Sequence, residues 1–165
     1  MRLRLFFLAL LLAFNSHAAD LALGKPAPEI RARLIDTGEE FLSTQQHGKV
    51  LIVNFWATWC APCRAEMPAL QSYLQAHQAQ GLEVLAISMD EARDLPAVKK
   101  VAQQYGFKVA LKGDVNAKGL GRIWRMPTTF VIDRDGLLRK NGHEGDAEIT
   151  LAELNATVTP LLEKN

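Results

Sequence analysis

Two cysteines, Cys60 and Cys63, are the only ones in the 165-residue chain, and Ala61 and Pro62 are all that separates them. A thiolate is the nucleophile of disulfide exchange, and a pair this close can cycle between dithiol and disulfide. Before them runs an apolar stretch, Val50-Leu51-Ile52-Val53-Asn54-Phe55-Trp56-Ala57, and after them a helix-compatible stretch from Arg64 to about Ala79. The pair therefore falls where a buried strand ends and a helix begins. Unpaired N–H groups and a partial positive charge at a helix N-terminus stabilise a thiolate. Cys60, at or just before the first turn, gains most from this and is assigned as the attacking thiol. Cys63, one turn further in, is assigned as the resolving thiol. A structural role explains the pair poorly, because the stabilisation from a disulfide grows with the loop that it closes.

The surrounding chain bounds the setting in which such a pair works. Met1-Arg2-Leu3-Arg4, an apolar run from Leu5 to Phe14 and the small-residue exit Asn15-Ser16-His17-Ala18-Ala19 have the form of a secretory signal peptide. Residues 1–19 are read as that leader, cleaved after Ala18 or Ala19, and 20–165 as one domain. The apolar run is short for a membrane anchor, which needs ~20 residues. Without Arg2 and Arg4, the 19 basic residues fall one short of the 18 acidic ones, a formal charge of −1. Nothing in such a balance points to nucleic acid or an anionic membrane surface as a partner.

The elements that must position the cysteines follow in order. Residues 20–28 are an extended lead-in, since Pro26 and Pro28 forbid helix and central strand. Glu29 to Leu34 and Phe41-Leu42 make a hairpin around the turn at Asp36-Thr37-Gly38-Glu39. Residues 50–57, apolar on both faces, suit a central strand. The helix over 62–79 tolerates Pro62 in its first turn and kinks at Pro68; Met67, Leu70 and Leu74 form its buried stripe. Leu82 to Ser88 is a strand parallel to the first. Asp94 caps a helix that runs to Tyr105 and Gly106. Phe107 to Leu111 is a short strand, Val115 to Trp124 a short helix ending in loop, and Thr128 to Ile132 a strand. Asp133-Arg134-Asp135-Gly136 turns into an antiparallel partner over 137–142. Asp146 caps a last helix with Leu151, Leu154, Val158 and Leu161 inside and Pro160 bending its end.

The run from Val53 through Cys63, the segment Met126-Pro127-Thr128-Thr129-Phe130 and the lead-in Gly24-Lys25-Pro26-Ala27-Pro28 together resemble the TlpA/ResA-like exported thioredoxins over about residues 24–162. The resemblance implies a thioredoxin fold, an α/β architecture with a central mixed sheet flanked by helices and an N-terminal hairpin. It implies that Cys60 forms the mixed disulfide with a partner and that Cys63 resolves it. It implies a cis Pro127 facing the cysteines, with the Met126 backbone free to pair with an extended substrate segment and Thr128 beside it. Glu66 matches a glutamate of this branch, three residues beyond Cys63 on the same helical side. A carboxylate there opposes thiolate formation and relays protons. Cytoplasmic thioredoxins carry a buried aspartate where this chain has Asn54, which cannot titrate, so proton transfer falls to Glu66 or water.

Trp59 is read as lining the partner-binding surface, Trp56 as core, and His47, His77 and His143 as solvated. Two cysteines and scattered histidines fall short of a zinc site's four ligands. Gly119-Leu120-Gly121-Arg122 lacks the strand-to-helix context of a phosphate loop. The reading is a periplasmic thiol–disulfide oxidoreductase without cofactor or metal, a monomer that reduces disulfides in exported proteins. The resemblance supplies a membrane thiol reductant of the DsbD/CcdA type as electron source and the haem-attachment motif of apocytochrome c as a common target. Three alternatives stand beside it. One is an oxidant of the same fold, since potentials here run from about −270 to about −120 mV. Another is a Cu(I) carrier using both cysteines with Met67 or Met126. A peroxidase is the third, disfavoured because Thr58 lies only two residues before Cys60.

Overall fold

The strand that leads into the cysteines sits in the middle of a seven-stranded sheet. In the computed structural model, which describes residues 21–163, the strands are β1 (Arg31–Leu34), β2 (Glu40–Leu42), β3 (Val50–Trp56), β4 (Leu82–Ser88), β5 (Lys108–Asn116), β6 (Thr128–Ile132) and β7 (Leu138–Lys140). Their spatial order is β2-β1-β5-β4-β3-β6-β7. β3 runs parallel to β4, with Val50 opposite Leu82 and Trp56 opposite Ser88, and antiparallel to β6, with Asn54 opposite Thr129. The helices are α1 (Ala61–His77), α2 (Leu95–Ala102), α3 (Leu151–Thr157) and α4 (Thr159–Leu162). The leader at 1–19 lies outside the described residues.

All seven residues of β3 are buried. Alternation along a strand sends them to opposite faces. Val50, Ile52 and Trp56 join Met67, Leu70 and Leu74 of α1 and Leu154 and Val158 near the C-terminus. Leu51, Val53 and Phe55 join Phe41 of the hairpin and Leu120 on the other face. Each large apolar side chain taken fully out of water contributes about 1.5–3 kcal/mol, so the strand that ends at the site is the best-anchored one. The lead-in covers the outer edge of the sheet: Gly24 N–H donates to Leu138 O at 2.7 Å and Leu138 N–H to Lys25 O at 2.9 Å. A paired edge is no longer free to recruit another chain.

Four sequence expectations need correction. No helix forms over Val115–Trp124: β5 continues to Asn116 because Ala32 and Arg31 of β1 pair with Val115 and Asn116, and only a single 3-10 turn, Lys118–Leu120, follows. α2 stops at Ala102, short of Tyr105, whose ring stacks on Phe107 at 5.3 Å. The last helix is capped by Thr150, whose Oγ1 accepts from Glu153 N–H, and not by Asp146; it breaks at Val158 before α4 and its Pro160. His143 is half-buried rather than solvated, its Nε2 2.7 Å from Leu120 O and its ring edge-on to Phe130. His77, half-buried as well, packs on Tyr73.

Candidate active site

α1 starts at the cysteines because the chain leaves the sheet there. Cys60 is its N-cap, with extended backbone, and Pro62 stands in the first turn, where a missing N–H costs nothing. The Cys60 Sγ accepts from Cys63 N–H at 3.3 Å, so the sulfur occupies the place of an N-capping oxygen. Cys60 and Cys63 are joined in a disulfide, with Cα atoms 5.3 Å apart. Cys60 is 5% exposed and Cys63 fully enclosed. Of the pair, Cys60 is the one that lines the neighbouring cleft.

Three residues beyond Cys63 on α1 stands Glu66, 6% exposed. Its Oε1 accepts from Asn54 Nδ2 at 2.7 Å and its Oε2 from Ile149 N–H at 2.8 Å. Burial pushes the carboxyl up to about 7, against the pull of the Ile149 and Asn54 hydrogen bonds and with a push from Glu148 and Glu153. A group poised there is half-ionised near neutrality, where a general acid–base works best. The simplest reading of Glu66, an exposed helix acid, is excluded by this burial. Asn54 also donates to Thr129 Oγ1 at 3.0 Å, which ties β3, α1 and β6 together under the site.

The facing wall comes from the segment before β6. The Met126–Pro127 peptide bond is cis. Pro127 is buried, Met126 half-buried. Thr128 points inward, its hydroxyl donating to Arg125 O at 2.7 Å, so its side chain braces the loop and does not face a partner. A cleft of about 460 Å³ opens between this wall and the cysteines, lined by Trp59, Cys60, Met89, Trp124, Arg125 and Met126 among others. Trp59 is 68% and Trp124 65% exposed. Met67, one of the two soft ligands considered for copper, is in the core instead.

Three residues of the site escaped the sequence reading. Asp90, buried, accepts from Thr58 N–H at 2.9 Å, from Thr58 Oγ1 at 2.6 Å and from Ser88 Oγ at 2.7 Å, and so fixes the turn that delivers Trp59 and Cys60. Trp124 and Arg125 form the outer wall. The one hint was an aspartate directly after a strand parallel to the active one, at the sheet end where ligands bind; nothing in the sequence set Trp124 apart.

A redox-active dithiol at the N-terminus of α1, across from a cis-proline on a mixed sheet, defines a thiol–disulfide oxidoreductase of thioredoxin fold. The model of the AhpC/TSA family matches residues 23–141. The thiol-disulfide oxidoreductase ResA of Geobacillus thermodenitrificans is 34% identical over 132 residues, 77% of this chain and 72% of that protein. ResA of Bacillus thuringiensis strain Al Hakam is 34% identical across 74% of this chain and 70% of its own length. A crystal structure of a thiol:disulfide interchange protein of the thioredoxin family from Chlorobium tepidum superposes with a TM-score of 0.68 at 29% identity, covering 86% of this chain and 98% of the other. The chain belongs to the AhpC/TSA family, within its ResA/TlpA-like thioredoxin branch.

Proposed function

We propose that the protein reduces disulfides in exported proteins, and that the observation carrying this is a cysteine pair whose outer member lines a cleft, with a buried carboxyl, Glu66, three residues beyond Cys63 on the same helix. In the reduced enzyme the Cys60 thiolate attacks one sulfur of the partner's disulfide. A mixed disulfide forms and the partner's other sulfur leaves as a thiolate. Cys63 then gives its proton to the Glu66 carboxylate and attacks Cys60 Sγ. The Cys60–Cys63 bond forms, the mixed disulfide breaks, and the second partner sulfur leaves, to be protonated. Trp59 and the Met126 backbone hold the partner strand beside Pro127, and Thr128 braces that wall. The enzyme ends oxidised and needs two electrons, for which a membrane thiol reductant of the DsbD/CcdA type is the proposed source.

The proposed setting is the periplasm, reached through a leader at 1–19 that leaves residues 20–165 as a monomeric domain, with the CxxCH segment of apocytochrome c as one target. No helix among the described residues is long and apolar enough to cross a membrane. The test is the equilibrium reduction potential of the Cys60–Cys63 pair, titrated in redox buffers with thiol alkylation as readout. A value of about −250 mV or lower supports the reductase, whereas one near −120 mV makes the protein a disulfide donor. A Cys63→Ser variant should accumulate mixed disulfides on Cys60; a Cys60→Ser variant should accumulate none.

A further inference from the structure

Arg125 is an unusual residue to find beside the cleft. Both protein partners of its guanidinium are carbonyl oxygens: Nη2 donates to Gly142 O at 3.0 Å and to Glu144 O at 3.3 Å. Its Nε is buried without a partner. The guanidinium lies over the Trp124 ring, 5.1 Å from its centroid. No ion pair to Arg64, Arg122 or Arg125 is present among the described residues. Nearby acids are engaged elsewhere, Asp90 with Thr58, Glu91 with Lys112 and Glu144 with Asn141. The wall that carries Arg125 is braced on both sides, by the Thr128 hydroxyl on Arg125 O and by His143 Nε2 on Leu120 O. A positive charge held in one orientation, with no carboxylate of its own, therefore stands next to a widely exposed indole.

We propose that the Ile123–Met126 segment selects among disulfide partners: the cleft takes an extended acidic stretch, with a carboxylate near its cysteine seated on Arg125 and an apolar side chain lying on Trp124. This rests on the disulfide-exchange reading of Cys60 and names the class of substrate for it. Nη1, the guanidinium nitrogen that is neither bonded to a carbonyl nor buried, offers a carboxylate charge-assisted hydrogen bonds, and a guanidinium already held by carbonyls and stacked on a ring loses little freedom when it binds. A lysine in the same place on the partner would meet like charge from Arg125. Trp124 supplies the large apolar contact that recognition surfaces use.

The test uses three synthetic peptides, each with one internal disulfide and one leucine beside it, differing only in Glu, Gln or Lys at the positions flanking the cysteines. The reduced protein is mixed with each, and oxidation is followed by acid quench and alkylation. Each rate is divided by that of the same peptide with dithiothreitol, which removes the peptide's own reactivity. The expected order is Glu over Gln over Lys, with about three- to tenfold between the extremes at low salt. In 1 M salt the ratio collapses toward one, as it does in Arg125→Gln, while Arg33→Gln on β1 keeps it. Trp124→Ala slows the Glu peptide several-fold. Equal rates for the three peptides in the wild-type protein would overturn the selectivity and leave exchange intact. A ratio that persists in Arg125→Gln would also overturn it, and should that variant not fold, the wild-type ratio and its salt dependence decide. If no peptide oxidises the protein, the exchange reading itself fails.

Discussion

Glutamine in place of Glu66 should remove a pH dependence from the stability of the fold. The unfolded chain ionises this carboxyl near its ordinary 4.5, the folded chain only near about 7. Between those values the folded state holds a proton that the unfolded state has released. Stability then falls as pH rises: the contribution of the neutral carboxyl is complete below about 4.5 and gone above about 7. At about 1.4 kcal/mol per tenfold change in proton affinity, the span from 4.5 to about 7 amounts to about 3 kcal/mol. The amide that Glu66→Gln introduces fits where the carboxyl was. It can accept from Ile149 N–H, and it can donate to Asn54 Oδ1, which is buried without a partner. For this the Asn54 amide turns over and Thr129 Oγ1 becomes its donor, while Nδ2 takes the unpartnered place that Oδ1 leaves, a cost that does not vary with pH. Urea unfolding of the oxidised protein at pH 5, 6, 7 and 8 gives the difference between variant and wild type, in which the other titrating groups cancel. Because pH 5 already lies inside the window, that difference should move by about 2.5 kcal/mol in favour of Glu66→Gln between the lowest and highest pH. Two parallel stability curves would refute the reasoning, since Glu66 would then ionise alike in both states.

Other perturbations act on the frame of the site. Asp90→Ala strips three donors on Thr58 and Ser88 of their acceptor and should cost about 3 kcal/mol; it should also speed alkylation of Cys60 in the reduced protein, because the Thr58–Cys60 turn loosens. Gly142→Ala places a Cβ 2.6 Å from Thr128 Cγ2 and 3.0 Å from Thr129 O. β6 must shift to admit it, for about 1–3 kcal/mol and a slower exchange rate, whereas Gly113→Ala, with nothing within 4 Å, should leave both within experimental error.

What the sequence discloses here follows the range of the interactions. The cysteine pair and its helix are legible because spacing, strand and helix start lie within fifteen residues or so of one another, and local geometry forces the rest. Glu66 could be placed on the right side of α1 from its spacing. Its burial could not, because the groups that cover it, Asn54 and Ile149, lie 12 and 83 residues away. The reach of β5 depends on β1, a partner more than seventy residues earlier, so the tail of that strand reads locally as helix. Thr150 outcompetes Asp146 as a cap because Ile149 is drawn into the interior beside Glu66, which sets where the chain can turn into α3. Arg125 and Trp124 carry no periodicity, and only the fold places them across from Cys60.

The bond from Ile149 N–H to Glu66 makes the main chain a witness to the charge of the site. Its acceptor changes from anion to neutral acid over the range where exchange takes place. The cross-peak of this single amide in a proton–nitrogen spectrum therefore reads the ionisation of a side chain that has no convenient signal of its own. The same peak, followed in the oxidised and the reduced protein, reports how far opening the disulfide moves the carboxyl, without a probe attached to either cysteine.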